Sequence, residues 1–171
     1  ISGLRKLGIK IFFKNKICYL YGNGLSGFDY KKNILINAGN SGTFARLLLG
    51  LIIKTPYKIK LVGDNSLSNR DFKRIADPLK EFGAKFELRN KNNLPLKVIG
   101  SEYLKPINYF EKRGSAQCKS SVILAALNTP GKTTIYAKKS RNHTELFLKY
   151  LKLPIKVIKK KKYDKIEISG E

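Results

Sequence analysis

The chain has no methionine or tryptophan, one histidine and two cysteines, and its 12 Asp and Glu stand against 35 Lys and Arg. Cys18 and Cys118 form neither a disulfide framework nor a metal-binding spacing; a reducing compartment fits, and no metal or cofactor is expected. No apolar run is long enough to span a bilayer, and no charged-then-apolar leader opens the chain. A cytoplasmic location without membrane contact is the resulting expectation. The lack of methionine means no initiator, and Ile1 to Gly8 reads as a helix tail without its upstream turns. The expectation is therefore a fragment.

What is present suits a globular protein: 171 residues, 42% hydrophobic and 27% charged, enough for one good core without staples. The net charge of +23 invites a nucleic-acid reading. Against it, 28 of the 35 basic residues are Lys and only seven are Arg, scattered along an Ile- and Asn-rich chain. That pattern fits a bias toward A/T-rich codons as well as it fits a binding surface. The run Lys159 to Lys162 reads as a solvated turn between strands Ile155–Ile158 and Lys165–Ile168.

The organising stretch is Arg113-Gly-Ser-Ala-Gln-Cys-Lys-Ser-Ser121 with its continuation to Gly131. Ser115 is a good N-cap, and Val122, Ile123, Ala126 and Leu127 recur at helical spacing until Thr129-Pro130-Gly131 stops the helix. Free amides, the helix dipole, Ser115, Gln117 and Lys119 are expected to converge there on a phosphate or carboxylate. The same design occurs at Gly39 to Pro56. Ser41 precedes Thr55-Pro56 by the 14 residues that separate Ser115 from Thr129-Pro130.

The rest of the chain fits this repeat. A helix end at Leu4 to Gly8 precedes a hairpin of Ile9–Phe13 and Ile17–Tyr21, then a loop at Gly22–Gly27. Strand Ile34–Ile36, the Ser41 helix, a strand near Tyr57–Val62 and a loop at Gly63–Asn69 come next. A helix from Asp71 to Phe82 has Arg70 at its start and Pro78 inside. A hairpin of Lys85–Leu88 and Leu96–Ile99 ends the unit. The third pass has a strand near Ile107–Phe110, the Ser115 helix, strand Thr133–Tyr136, a helix Thr144–Leu151 opened by Ser140 to Glu145, and a final hairpin. Ser41 maps to Ser115, Arg70 to Arg141, and Leu4 to Gly8 maps to Leu79 to Gly83, at offsets of 74, 71 and 75 residues. The expectation is an α/β fold of βαβαββ units around a pseudo-threefold axis: the end of one unit (1–36), a second (37–104) and a third (105–171), in a single domain. Ser41, Arg70, Ser115 and Arg141 would then gather at one rim as an anion site.

Five motifs, Gly39-Asn-Ser-Gly-Thr-Phe-Ala-Arg46, Gly63-Asp-Asn-Ser-Leu-Ser-Asn-Arg70, Gly114-Ser-Ala-Gln-Cys-Lys-Ser-Ser121, Leu127-Asn-Thr-Pro-Gly131 and Ser140-Arg-Asn-His-Thr-Glu145, resemble the 5-enolpyruvylshikimate-3-phosphate (EPSP) synthase family. The Ser-Ala-Gln and Arg-x-His-Thr-Glu forms are similar to its second sequence class. The resemblance spans nearly the whole chain and implies an enolpyruvyl transferase half-barrel domain. It further implies transfer of the carboxyvinyl group of phosphoenolpyruvate to the 5-hydroxyl of shikimate 3-phosphate, on the way to chorismate and aromatic amino acids. It would place Ser115, Ala116, Gln117 and Arg141 at shikimate 3-phosphate. Gly42, Arg70 and Gln117 would lie at phosphoenolpyruvate, with Asn40 and Thr43 shaping that pocket. Gly42 is also where glyphosate-tolerant members carry Ala, so Gly implies room for glyphosate. The family's Lys-Ser-x-x-x-Arg motif and its second domain, with the acid/base Asp and Glu and the Lys and Arg ligands of phosphoenolpyruvate, have no counterpart in residues 1–171. Turnover by this chain alone is not expected.

Other residues have plainer readings. His143 at a helix start is expected to hydrogen-bond local backbone, and Cys118 to pack. Arg46 and Lys119 would pair with local carboxylates. A UDP-N-acetylglucosamine enolpyruvyl transferase shares the repeats, but the Ser-Ala-Gln and Arg-Asn-His-Thr-Glu stretches favour shikimate 3-phosphate. A nucleic-acid module would need aromatics interleaved with Arg on one face, whereas the aromatics mostly occupy apolar periodic positions. Titration separates the classes. Saturable, stoichiometric binding of shikimate 3-phosphate is expected, and salt-steep binding to any oligonucleotide would overturn it.

Overall fold

The structure, a computed structural model, describes residues 1–171. The first helix, α1 (Ser2–Lys6), ends where Gly8 takes a φ of 83°, a conformation that costs glycine little. β1 (Lys10–Lys14) and β2 (Ile17–Tyr21) form the expected hairpin, with Asn15 and Lys16 both left-handed at its two-residue turn. β3 (Leu35–Asn37), α2 (Gly42–Leu51) and β4 (Ile59–Val62) succeed them. The expected loop at 63–69 is partly helical: α3 (Asn65–Ser68) forms because the Asp64 carboxylate accepts the Leu67 amide at 2.8 Å. α4 (Lys73–Glu81) opens two residues later than expected, since Asp71 stays outside and accepts the Lys73 amide at 2.8 Å. β5 (Lys85–Arg89) and β6 (Asn93–Ile99) complete this stretch. The last part contains β7 (Asn108–Glu111), α5 (Ala116–Leu127), β8 (Gly131–Lys138), α6 (His143–Tyr150), β9 (Ile155–Lys159) and β10 (Tyr163–Gly170). β8 is longer than its sequence signal because all eight of its residues pair with β10.

Two four-stranded sheets share one topology, β3-β4-β6-β5 and β7-β8-β10-β9. In each, the first two strands are parallel and the closing hairpin is antiparallel. Alternation along β6 and β10 sends one set of side chains inward, including Leu94, Leu96 and Val98 from β6 and Ile166 and Ile168 from β10. The helices, rather than the sheets, occupy the centre. The sequence pattern presents one apolar stripe on α5, yet Lys119, Ser120 and Ser121 are buried together with Cys118, Val122 and Ile123, so the helix is enclosed on nearly every side. No helix is long and apolar enough to cross a membrane.

The outer face of the second sheet departs from the expected placement of aromatics. Phe110 stacks on Tyr136 with ring centres 4.9 Å apart, Tyr163 meets Tyr136 edge-on, and Lys112, Lys138 and Lys162 stand beside them. These rings form cross-strand contacts on a solvated face. Lys159, the first lysine of the basic run, bonds the Asp164 carboxylate at 2.8 Å.

Two glycines permit the tight helical centre. A methyl on Gly50 of α2 would collide with the Ser121 carbonyl of α5, and one on Gly170 with the carbonyls of Ala126 and Thr129. Backbone cannot yield as a flexible side chain can, so Gly50→Ala should destabilise the fold by about 1–3 kcal/mol despite alanine's better helix propensity, measured by urea denaturation. Glu167 titrates at about 2, held down by hydrogen bonds from Lys165 and then Lys132. A carboxylate depressed in the folded state stabilises above its unfolded value, and that contribution fades as pH falls from about 4.5 toward about 2. Glu167→Gln should therefore lose less melting temperature between pH 6 and pH 3 than the parent chain.

Candidate functional site

The two longest central helices begin side by side. Ser41 caps α2 by accepting the Phe44 amide at 3.2 Å, and Ser115 caps α5 by accepting the Cys118 amide at 3.3 Å. This matched capping is why the two repeated Ser motifs fold alike. Ser121 in α5 donates to the Arg46 carbonyl in α2 at 2.8 Å, fixing the register between the helices.

Gln117 is the junction. Its Oε1 accepts from Arg46 Nη1 at 2.5 Å, while its Nε2 donates to Thr43 Oγ1 at 2.9 Å. Both ends of the carboxamide are thus assigned, and its orientation is set by α2. Arg46 pairs with no carboxylate, contrary to expectation. It is only 5% exposed, its Nε has no partner, and its guanidinium lies 5.4 Å over the Phe72 ring. Burial lowers its pKa, and Arg74 and Arg70 lower it further. Arg70 reaches the same place: a methyl on Gly42 would lie 3.2 Å from Arg70 Nη1 and 3.5 Å from Arg46 Nη1. Gly42, Arg46, Arg70 and Gln117 therefore form one positively charged corner.

On the other side of Gln117 a cavity of about 190 Å³ is lined by Thr43, Ala116, Gln117, Ser120, Arg141 and Thr144, among others. An adjoining cavity of about 390 Å³ adds Gly114, Ser115 and Ser140 and again includes Arg141. Ser115, Ala116, Gln117 and Arg141 are thus brought together, with Thr43 on the same cavity, while Gly42 and Arg70 meet at the Arg46 corner and are linked to Gln117 through Arg46. Asn40 lines neither cavity; its amide donates to the Asp64 carboxylate at 2.6 Å. That bond and the Leu67 amide hold the Asp64 pKa below the usual carboxylate range, the amide contributing more.

Three further expectations change. Lys119 does not face the open anion site; it is buried against Glu145 at 2.6 Å, the carboxylate partner its plainer reading anticipated. The amides before α5 are not free either. The buried Glu111 carboxylate accepts from Arg113, Gly114 and Ser115 at 3.1, 2.6 and 3.0 Å. Only the Ala116 and Gln117 amides remain unpartnered at the start of α5. His143 makes no hydrogen bond to local backbone and instead lines the smaller cavity. Cys118 packs in the core as expected, at 2% exposure. Glu111 carries no signal in the sequence, because its three partners are main-chain groups.

Comparison with known proteins bears on the family and the fold. The family model described as EPSP synthase (3-phosphoshikimate 1-carboxyvinyltransferase) matches residues 1–171. The 3-phosphoshikimate 1-carboxyvinyltransferase of Streptococcus agalactiae serotype Ia is 42% identical over 147 residues, which are 85% of this chain and 34% of that protein. The corresponding protein of Caldicellulosiruptor saccharolyticus is 41% identical over 170 residues, covering 98% of this chain and 39% of the relative. An EPSP synthase structure from Acinetobacter baumannii superposes with a TM-score of 0.87 at 32% identity, covering 99% of this chain and 38% of that one. The enolpyruvyl transferase NikO of Streptomyces tendae, at 13% identity and a TM-score of 0.61, shares the fold. The chain spans about a third of the length of the first of these relatives. With every residue inside the family match and both central helix starts built from its motifs, this chain belongs to the EPSP synthase family.

Proposed function

We propose that this chain supplies the shikimate 3-phosphate side of an enolpyruvyl transfer site. In the reaction, the carboxyvinyl group of phosphoenolpyruvate passes to the 5-hydroxyl of shikimate 3-phosphate and inorganic phosphate leaves. The observation that carries this reading is the position of Gln117 between the Arg46–Arg70 corner and the single guanidinium of Arg141. A bound carboxylate or phosphate on the Arg141 side and a second anion on the Arg70 side would sit on opposite edges of one oriented carboxamide. Two anionic substrates that must react with each other suit that arrangement.

Each residue then takes a role. Ser115, Ala116, Gln117 and Arg141 bind shikimate 3-phosphate. Gly42, Arg70 and Gln117 face phosphoenolpyruvate, with Thr43 shaping that side through its bond to Gln117. Asn40 acts from further back, through Asp64. Arg46 joins them as the group that orients Gln117. Addition of the hydroxyl to the enol carbon and elimination of phosphate require a proton donor and acceptor. Those come from a second domain closing over this face, so the chain alone binds substrate without turning it over. The units of 37–104 and 105–171 correspond to β3–β6 and β7–β10, each βαβαββ in order, except that the second begins with β3 at residue 35 rather than at 37; 1–36 would close a third. The setting is cytoplasmic, where both substrates are small soluble anions.

Isothermal titration with shikimate 3-phosphate tests the reading. The chain should bind one equivalent. Gln117→Ala and Arg141→Ala should each weaken binding about tenfold or more, the loss of a hydrogen bond to a charged group. Gly42→Ala, whose methyl is crowded only by the far end of the Arg70 side chain at 3.2 Å, with Arg46 Nη1 and Leu67 at ordinary contact distance, should leave shikimate 3-phosphate affinity within about twofold. No binding by the parent chain, or equal binding by all variants, would overturn the proposal.

A further inference from the structure

Lys119 and Glu145 form the most buried ion pair in the chain, their side chains 1% and 4% exposed and 2.6 Å apart. Neither belongs to the substrate contacts assigned above. Burying two charges is costly, and replacing such a pair by apolar side chains is often neutral for stability. Stability alone is therefore a poor account of it. Its geometry supplies a better one. Lys119 lies two residues beyond Gln117 on α5, and Glu145 lies in the first turn of α6. The same ammonium donates a second bond, at 2.9 Å, to the backbone carbonyl of Arg141. Next to this pair in both helices, Ser120 Oγ and Thr144 Oγ1 are 2.6 Å apart, a second tie between α5 and α6.

Arg141 itself precedes α6 and its residue is exposed, so its own side chain has little packing to fix it. Its backbone is held by Lys119 alone among side chains. We infer that the Lys119–Glu145 pair positions Arg141, anchoring its carbonyl so that the guanidinium is presented beside Gln117. Glu145 neutralises and aims the ammonium; Lys119 carries the aim to the Arg141 backbone. The pair acts through Arg141 and touches no substrate. This inference rests on the assignment of Arg141 to the anion site.

The test combines Lys119→Met with Glu145→Leu, an apolar pair of similar volume that leaves no uncompensated charge. Two readouts are needed. In the ligand-free chain, hydrogen exchange of the Leu146 amide, which donates to the Asn142 carbonyl at the start of α6, should rise about tenfold while the α5 amides stay protected. Shikimate 3-phosphate affinity should fall about tenfold, and the same pair of changes made in Arg141→Ala should produce no further loss, the signature of coupled residues. Unchanged exchange, affinity within twofold of the parent, or an equal loss in the Arg141→Ala background would each overturn the inference. Should the double variant fail to fold, Glu145→Gln keeps the volume and one acceptor and carries the same comparison, with a smaller loss expected. Failure of the parent chain to bind shikimate 3-phosphate would sink the substrate assignment instead, and the exchange readout would still judge the anchoring.

Discussion

Helices α2 and α5 lie so close that no side chain fits at Gly50 against the Ser121 carbonyl, and the geometry of the site depends on that approach. It sets the first turns of the two helices beside each other. It also lets Ser121 bond the Arg46 carbonyl and brings Gln117 within reach of Arg46 and Thr43. A wider spacing would leave two separate helix starts, each with its own serine cap and neither able to orient the other's side chains. The sheets serve this arrangement from outside. Their inward residues enclose the helices, and Gly170 lets the end of β10 press against the last turn of α5.

Such a centre tolerates polar groups only where each is paired. Lys119 has Glu145 and the Arg141 carbonyl, Ser120 has Thr144, and Ser121 has the α2 backbone. Exceptions include Glu145, whose Oε2 has no partner, and Arg46, whose Nε has none and which has other guanidiniums nearby. An incompletely paired buried cation is costly within a stable core, and it sits beside the corner where anions are expected to bind.

Most of the element order was legible in the sequence, because it rests on short-range rules. Serine caps, Gly8 and Gly83 at helix ends, and period-two strands identify themselves locally, and the repeat offsets of 71 to 75 residues add a constraint that no single stretch holds. The joint placement of Gln117 with Arg141 and with Arg70 was also legible, through the repeat and the family motifs. Other features lay beyond reach for definite reasons. α3 depends on one carboxylate cap within an otherwise loop-like run. The direction of Lys119 is decided by a partner 26 positions away, whereas helical spacing alone allows it to face either the cavity or the interior. Phe110, Tyr136 and Tyr163 come from three strands, and only the pairing register brings their rings together. Glu111 binds main-chain amides, which every sequence possesses.

That last carboxylate bears on selectivity. Helix starts with open amides accept almost any small anion, since a row of N–H dipoles discriminates poorly between phosphate, sulfate and chloride. Here Glu111 already occupies the amides of residues 113 to 115 as a covalently tethered anion at fixed local concentration. Free ions must compete with it and gain nothing there. What remains open are the Ala116 and Gln117 backbone amides together with two side chains that read shape as well as charge, the fork of Arg141 and the oriented carboxamide of Gln117. The tethered carboxylate thus narrows the donors left open at this helix start to two amides and to side chains whose geometry differs from one oxyanion to another.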